Sequence, residues 1–244
     1  MGEREKRAKI YFSEPARYLR EGYNLRIRRE CVQQFTSGRK FTNVLDAPCG
    51  DASISLPLLY STARLTLVDF SSEMLEVASG NIPSAASEKV ELICSDIGRL
   101  NLPYGQYDLL LCLGLLSHVA DPLAALDALL PLLKPGGFFI LQNTDATHWY
   151  SRLIRLYEGL KGLFRRHSYR ARPVPASLIM AVMDNHGLSL QKEYCYNQSF
   201  LGLGRLFSSE SKYRLTQRIF GTPAHPRRQA LGSDHIYLFV SGQP

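Results

Sequence analysis

No stretch of this sequence approaches the roughly 18 uninterrupted apolar residues that a membrane-spanning helix needs. The charged opening, Met1 to Lys9, leads into no signal-like apolar core, so a cytoplasmic location is expected. The five cysteines, at 31, 49, 94, 112 and 195, form no C-x-x-C pair, and none has a His or Cys at zinc-ligand spacing. That pattern encodes neither a disulfide framework nor a metal knuckle, and no metal is expected. The cysteines read as small buried apolar residues in a reducing compartment. Internal repeats and low-complexity tracts are also missing. What remains is a 244-residue chain, 45% hydrophobic and 21% charged, long enough to bury one full-sized core with elaborations.

The net charge of +7 is unevenly spread. Residues 1–40 hold 11 Lys/Arg against 5 Asp/Glu, residues 41–145 hold 4 against 12, and residues 146–232 hold 14 against 4. An acidic centre between two basic regions points to separate electrostatic tasks, with the basic parts facing a carboxylate, a phosphate or a lipid surface.

From Phe41 to Leu141 short apolar runs alternate with helix-like stretches, the pattern of a parallel sheet wrapped by helices. Strands are expected at Asn43–Ala47, Leu65–Asp69, Val90–Ser95, Tyr107–Leu113 and Phe138–Asn143, each apolar enough to be buried on both faces. Helices are expected at Ser53–Tyr60, at Ser71–Gly80 with a serine cap, and at Pro122–Leu133, where Lys134-Pro135-Gly136-Gly137 stops the last. A further helix, Pro175–Asn185, precedes strands Leu188–Asn197 and His235–Val240, which should pair as an antiparallel edge. The division that follows is a helical cap over 1–40, a core over 41–143, an inserted lid over 144–173, core again over 174–198, a second insertion over 199–232, and a last strand over 233–244.

The strongest chemical signal is Val44-Leu45-Asp46-Ala47-Pro48-Cys49-Gly50-Asp51-Ala52, a buried strand entering a tight turn of small residues. In a doubly wound sheet ligands lie beyond the carboxyl ends of the strands, so this turn is where a nucleotide-like cofactor meets the backbone. The second strand ends on Asp69, 19 residues after Gly50 and followed by Phe70 and Met74. The third ends on Ser95-Asp96-Ile97, and the fourth on Cys112-Leu113-Gly114-Leu115.

In these features the sequence resembles the class I S-adenosylmethionine-dependent methyltransferases of small molecules, whose first motif reads D-x-G-x-G-x-G. This chain has Asp46, Pro48, Gly50 and Ala52 in those places. The resemblance spans roughly Tyr11 to Asn143. It implies a Rossmann-like α/β fold, doubly wound, with a seven-stranded mostly parallel sheet, an antiparallel edge strand and a helical lid. It also implies S-adenosyl-L-methionine as cofactor, held by Asp46, Ala47, Pro48 and Gly50 at the first turn, with Asp69 on the ribose hydroxyls and Phe70 and Met74 near the adenine. Ser95, Asp96 and Ile97 would meet the adenine amino group, and Leu113 and Gly114 complete the wall. Tyr11, Tyr18 and Arg28 resemble the leading segment that closes over the methionine end, where an Arg can pair with a carboxylate.

Methyl transfer needs an in-line approach to an activated methyl group, so positioning carries most of the rate and a general base is optional. His118, after the fourth strand, is the candidate base; the competing role is a cap for the next helix. Asn143, His148, Trp149 and Tyr169 are rim candidates for the acceptor. A helical wheel of Trp149 to His167 gathers Trp149, Leu153, Leu156, Tyr157, Leu160, Leu163 and Phe164 on one face and Arg152, Arg155, Lys161, Arg165 and Arg166 on the other. Such a helix either presses on a membrane or anionic amphiphile, or packs its apolar face on the core as a lid. The acceptor is accordingly expected to be a small molecule, lipid-like or acidic, with peripheral membrane contact possible and no nucleic-acid partner. A nicotinamide enzyme would want G-x-G-x-x-G, which Pro48 and Ala52 interrupt. A non-catalytic binding or scaffold protein on the same fold is the competing reading.

Overall fold

The computed structural model describes residues 22–162, 171–201 and 206–242. Helix α1 (Gly22–Thr36) leads into a seven-stranded sheet built from β1 (Phe41–Asp46), β2 (Thr62–Asp69), β3 (Val90–Cys94), β4 (Tyr107–Cys112), β5 (Leu133–Thr144), β6 (Leu188–Tyr196) and, last in the chain, β9 (Asp234–Ser241). A two-residue hairpin, β7 (Gly221–Thr222) with β8 (His225–Pro226), stands apart. The strand order is β3-β2-β1-β4-β5-β9-β6. β1 to β5 run parallel, whereas β9 is antiparallel to both β5 and β6. The antiparallel pairing of the last two strands is as expected, with β9 enclosed between β5 and the edge strand β6. The order reverses between β1 and β4, and a crevice opens there at the carboxyl ends of the strands.

Alternation along each strand divides the core in two. Val44, Leu109 and Leu111 join Ile27, Phe35, Leu65 and Tyr194 on the face covered by α1. Their neighbours Leu45, Leu110 and Cys112 join Leu126, Phe139, Ile179 and Tyr237 on the other, under α3 (Pro122–Leu129) and α5 (Ala176–Asn185). The expected cap of α2 (Ser72–Asn81) is in place, with Ser71 Oγ accepting from Met74 N at 3.2 Å.

Three expectations change. The helix placed at Ser53–Tyr60 forms only as a 3-10 turn, Leu56–Tyr60. Pro57 has no N–H to give to Ser53, and Ala52 sits at φ 59°, outside helical space. The turn at Lys134–Gly137 belongs to β5, because Leu133 already pairs with Tyr107 and the ladder resumes at Phe138, so the four residues bulge out between them. α3 ends at Leu129 and passes into a short 3-10 turn.

Of the two readings of the lid helix α4 (Trp149–Gly162), the one that packs its apolar face on the core does not hold. Trp149, Leu156 and Leu160 are 54%, 62% and 56% exposed. The inner side is instead Tyr150, Ser151 and Ile154. Two hydrogen bonds fix this roll: Tyr150 Oη donates to Ser199 O at 2.6 Å, and Arg155 donates to Ala146 O at 2.7 Å. Leu163, Phe164, Arg165 and Arg166 lie outside the described residues. In the second insertion, α6 (Ser209–Phe220) packs on α1, where the Arg26 guanidinium lies 3.5 Å from the Tyr213 ring centroid and pairs with Glu210.

Candidate functional site

The turn after β1 is built from backbone hydrogen bonds and carboxylates. Ala47 N donates to Leu111 O on β4 and Cys49 N to Val68 O on β2, so the chain is tied to both neighbours as it leaves the sheet. Gly50, at φ 54°, then donates its N–H to Asp69 Oδ2 at 3.0 Å. Asp69 Oδ1 accepts from Ser71 N, also at 3.0 Å. One buried carboxylate thus fixes the glycine turn and the entry to α2 together. Ala52 adopts the left-handed conformation that the resemblance assigns to a third glycine, at a cost of roughly 1–3 kcal/mol for a residue with a Cβ. Asp51 accepts from Ser53 N and Oγ and braces this strained turn.

Three carboxylates therefore crowd beneath the turn. Burial raises the Asp46 pKa from 3.8 to about 7, with further push from Asp69 and Asp51 and an opposing hydrogen bond from Ser55. Burial likewise raises Asp69, offset by its bonds to Ser71 and Gly50. The site is one where a cation would be welcome.

Around this turn lies a cleft of about 740 Å³. Of the residues singled out in the sequence, the cleft brings together Pro48, Gly50, Asp69, Phe70 and Met74 from β1, β2 and α2, Ser95, Asp96 and Ile97 after β3, and Leu113, Gly114 and His118 after β4. Arg28 reaches in from α1, its Nη1 only 3.1 Å from where a Cβ on Gly114 would stand. Gly114 (φ 79°) is therefore glycine for both conformation and space. Among the described residues Arg28 Nε is buried with no hydrogen-bond partner, while the same guanidinium hydrogen-bonds Tyr196.

Other residues fall elsewhere. Asp46 and Ala47 are buried behind the turn and do not line the cleft. Asn143 is turned into the core, where its amide donates to Val174 O. His148 holds the start of α4, with Nδ1 accepting from Tyr150 N and Nε2 against Ala230 O. Trp149 points outward. Tyr11, Tyr18 and Tyr169 lie outside the described residues. Nor does His118 cap the next helix: Asp121 does so, accepting from Leu123 N and Ala124 N at 3.0 Å each.

The structure adds residues that the sequence did not single out. Asn24 stands one helical turn before Arg28 and lines the same cleft, its buried Oδ1 without a partner among the described residues. At the far end the cleft is walled by Thr144, Tyr150, Gln198 and Asp234. Asp234, 2% exposed, accepts from Thr144 Oγ1 at 2.6 Å and Gln198 N at 3.0 Å. It reaches the site because β9 runs antiparallel, which puts its first residue beside the last of β5.

A family model described as a methyltransferase domain matches residues 45–141, the segment from β1 to β5. A ubiquinone biosynthesis O-methyltransferase of Thiobacillus denitrificans is 30% identical over 164 residues, 66% of this chain and 69% of that protein. This chain belongs to the class I S-adenosylmethionine-dependent methyltransferases. A second relative of the same name, from Bordetella avium, is 30% identical over 156 residues. That match covers 62% of this chain and 64% of the relative, so this chain spans a little under two thirds of that relative's length. Among solved structures, the magnesium protoporphyrin IX methyltransferase of Synechocystis PCC 6803, with bound S-adenosylhomocysteine, shares the fold at a TM-score of 0.67 and 16% identity, covering 98% of this chain and 100% of that one. S-adenosylmethionine is a sulfonium cation, and the buried acids below the Gly50 turn suit a positive charge.

Proposed function

We propose that the protein transfers a methyl group from S-adenosylmethionine to a small-molecule acceptor. The observation that carries this is one cleft lined both by a buried carboxylate, Asp69, and by Arg28, whose buried Nε has no hydrogen-bond partner among the described residues. Those groups fit a ligand with hydroxyls at one end and a carboxylate at the other. Asp69 would accept from the ribose hydroxyls, Asp96 and Ile97 would face the adenine, and Arg28 with Asn24 would hold the amino-acid end. Bound there, the cofactor supplies the activated methyl group. The protein's own contribution is to orient the acceptor and exclude water.

The relatives' name, O-methyltransferase, favours an oxygen acceptor, and a hydroxyl acceptor must lose its proton. His118, on the cleft wall, is the residue to take it. The test is label transfer from methyl-tritiated S-adenosylmethionine into a small-molecule extract. Recovery of label in small molecules is expected. Binding of S-adenosylhomocysteine without label transfer to any acceptor would favour the non-catalytic reading instead.

The Asp46 carboxyl gives this proposal a pH signature. A sulfonium cation favours the ionised form of an acid whose pKa stands near 7, so binding expels a proton and tightens as pH rises through that range. Affinity for S-adenosylmethionine should rise by up to ~10-fold between pH 6 and 8, and that for neutral S-adenosylhomocysteine by less. Parallel, flat profiles for the two ligands in calorimetric titrations would remove the electrostatic role. The same shift acts on the fold without ligand. The folded state keeps a proton that the unfolded chain gives up above pH 4, so stability falls as pH rises from about 4 towards 7.

The outward face of α4 supports an acceptor in or near a lipid surface. Trp149, Leu153, Leu156 and Leu160 form an exposed apolar stripe, with exposed Arg152 beside it, on the helix whose other side lines the cleft. No helix among the described residues is long and apolar enough to cross a membrane, so contact of this kind would be peripheral. Vesicles with anionic lipid should retain the protein more than neutral ones, less so at high salt. Replacing Leu156 and Leu160 together by Glu should cut retention by ~10-fold or more, since burying each leucine is worth about 1.5–3 kcal/mol. Equal indifference to both vesicle types would assign the stripe another role.

A further inference from the structure

Away from the cleft, the ladder between β6 and β9 gathers three side chains that no local motif joins. Cys195 and His235 are directly paired across the ladder, and Glu193 stands two residues earlier on β6, so all three project from one face. His235 Nδ1 lies 2.6 Å from Glu193 Oε1 and 3.3 Å from Cys195 Sγ. All three donor atoms are within 4.8 Å of one another.

Both contacts use the same ring nitrogen, which carries at most one hydrogen. If Nδ1–H donates to Glu193, it offers no lone pair to the thiol. If the thiol donates to Nδ1, the carboxylate faces a lone pair at 2.6 Å. The thiol hydrogen given to Glu193 beside Nδ1–H satisfies the cluster with protons, and a cation that replaced them would meet three lone pairs within the same 4.8 Å. The other ring nitrogen, Nε2, is buried without a partner among the described residues. A sulfur, an imidazole and a carboxylate are the donor types that zinc-class ions take, with a fourth position left to solvent.

We propose that Glu193 Oε1, Cys195 Sγ and His235 Nδ1 bind one divalent transition-metal ion of the zinc class. The scaffold is prepared for it: two paired strands fix the backbones, and the His235 ring stacks on buried Tyr237 at 5.3 Å. The Glu193 side chain, 37% exposed against 15% for His235, leaves the side by which a solvated ion enters. On binding, Cys195 releases its proton to solvent and the thiolate forms the metal bond. The ion would clip the edge strand β6 to β9, whose first residue walls the cleft.

The test uses the full chain, stripped with a chelator and titrated with Co²⁺ alone. Expected are a near-ultraviolet sulfur-to-cobalt band and visible bands of tetrahedral strength, saturating at one equivalent and displaced by Zn²⁺. Cys94, the exposed cysteine, is the competing ligand, and Cys94→Ser should leave the spectrum unchanged. Cys195→Ser should abolish the sulfur band. Each of Glu193→Gln and His235→Gln should weaken Co²⁺ binding at least ~100-fold, because losing even an outer-shell partner of a metal ligand costs 10–100-fold. Glu193→Gln, at a half-exposed position, keeps the test decisive if a buried variant fails to fold. The proposal is overturned if the wild type shows no sulfur band, or if the band persists in Cys195→Ser or binding is unweakened in Glu193→Gln.

Discussion

Asp69→Ala will lose both cofactor affinity and stability, and the two losses have separate sources. Without the carboxylate, the buried N–H groups of Gly50 and Ser71 lose their acceptor. An unsatisfied buried donor costs about 1–3 kcal/mol, so two cost about 2–6 kcal/mol. At this chain length each kcal/mol lowers Tm by roughly 2–4 °C. On the proposed role binding falls further, because the two charge-assisted hydrogen bonds that Asp69 would accept from the ribose are lost, on the order of 2 kcal/mol or ~30-fold in Kd. Asp96→Ala provides the contrast: its carboxylate is exposed and accepts from Gly98 N in a surface turn, so stability should change far less. Thermal unfolding and calorimetric titration of both variants check the account. Unaltered affinity in folded Asp69→Ala would take the ribose away from this residue.

His118→Ala will lower turnover by ~10²-fold or more while leaving cofactor affinity nearly intact. Because the Asp121 carboxylate holds the start of α3, removing the imidazole leaves that helix capped. Stability should therefore hold while the chemical step slows. In the wild type the rate should rise with pH, since only the neutral ring accepts a proton, and the rise should vanish in the variant. Normal turnover per folded molecule would leave acceptor deprotonation to another group.

Much of the core was legible because it is local in character. Strands buried on both faces, such as Leu109–Cys112, must be apolar without interruption, and an acid such as Asp69 at the end of such a run stands out. Helix α2 announced itself through the Ser71 cap. What escaped depends on tertiary geometry. The wheel of α4 gathers Trp149, Leu153, Leu156 and Leu160 on one face but does not say which face turns inward; hydrogen bonds from Tyr150 and Arg155 to carbonyls outside the helix decide that. The role of Asp234 required knowing that β9 runs antiparallel beside β5. Glu193, Cys195 and His235 converge only through a strand register spanning some 40 residues, which no spacing rule for metal ligands contains. Ala52 in left-handed space shows the opposite limit, since the turn keeps its shape although its usual residue is gone.

The most direct test of the central claim is a calorimetric titration of the purified protein with S-adenosylhomocysteine, paired with the same titration on Arg28→Leu and Asp69→Ala. The account predicts one saturable site per chain in the wild type, a Tm that rises with ligand concentration, and weakened binding in both variants. Absence of heat and of any thermal shift at millimolar ligand, or equal affinity in all three proteins, would contradict it.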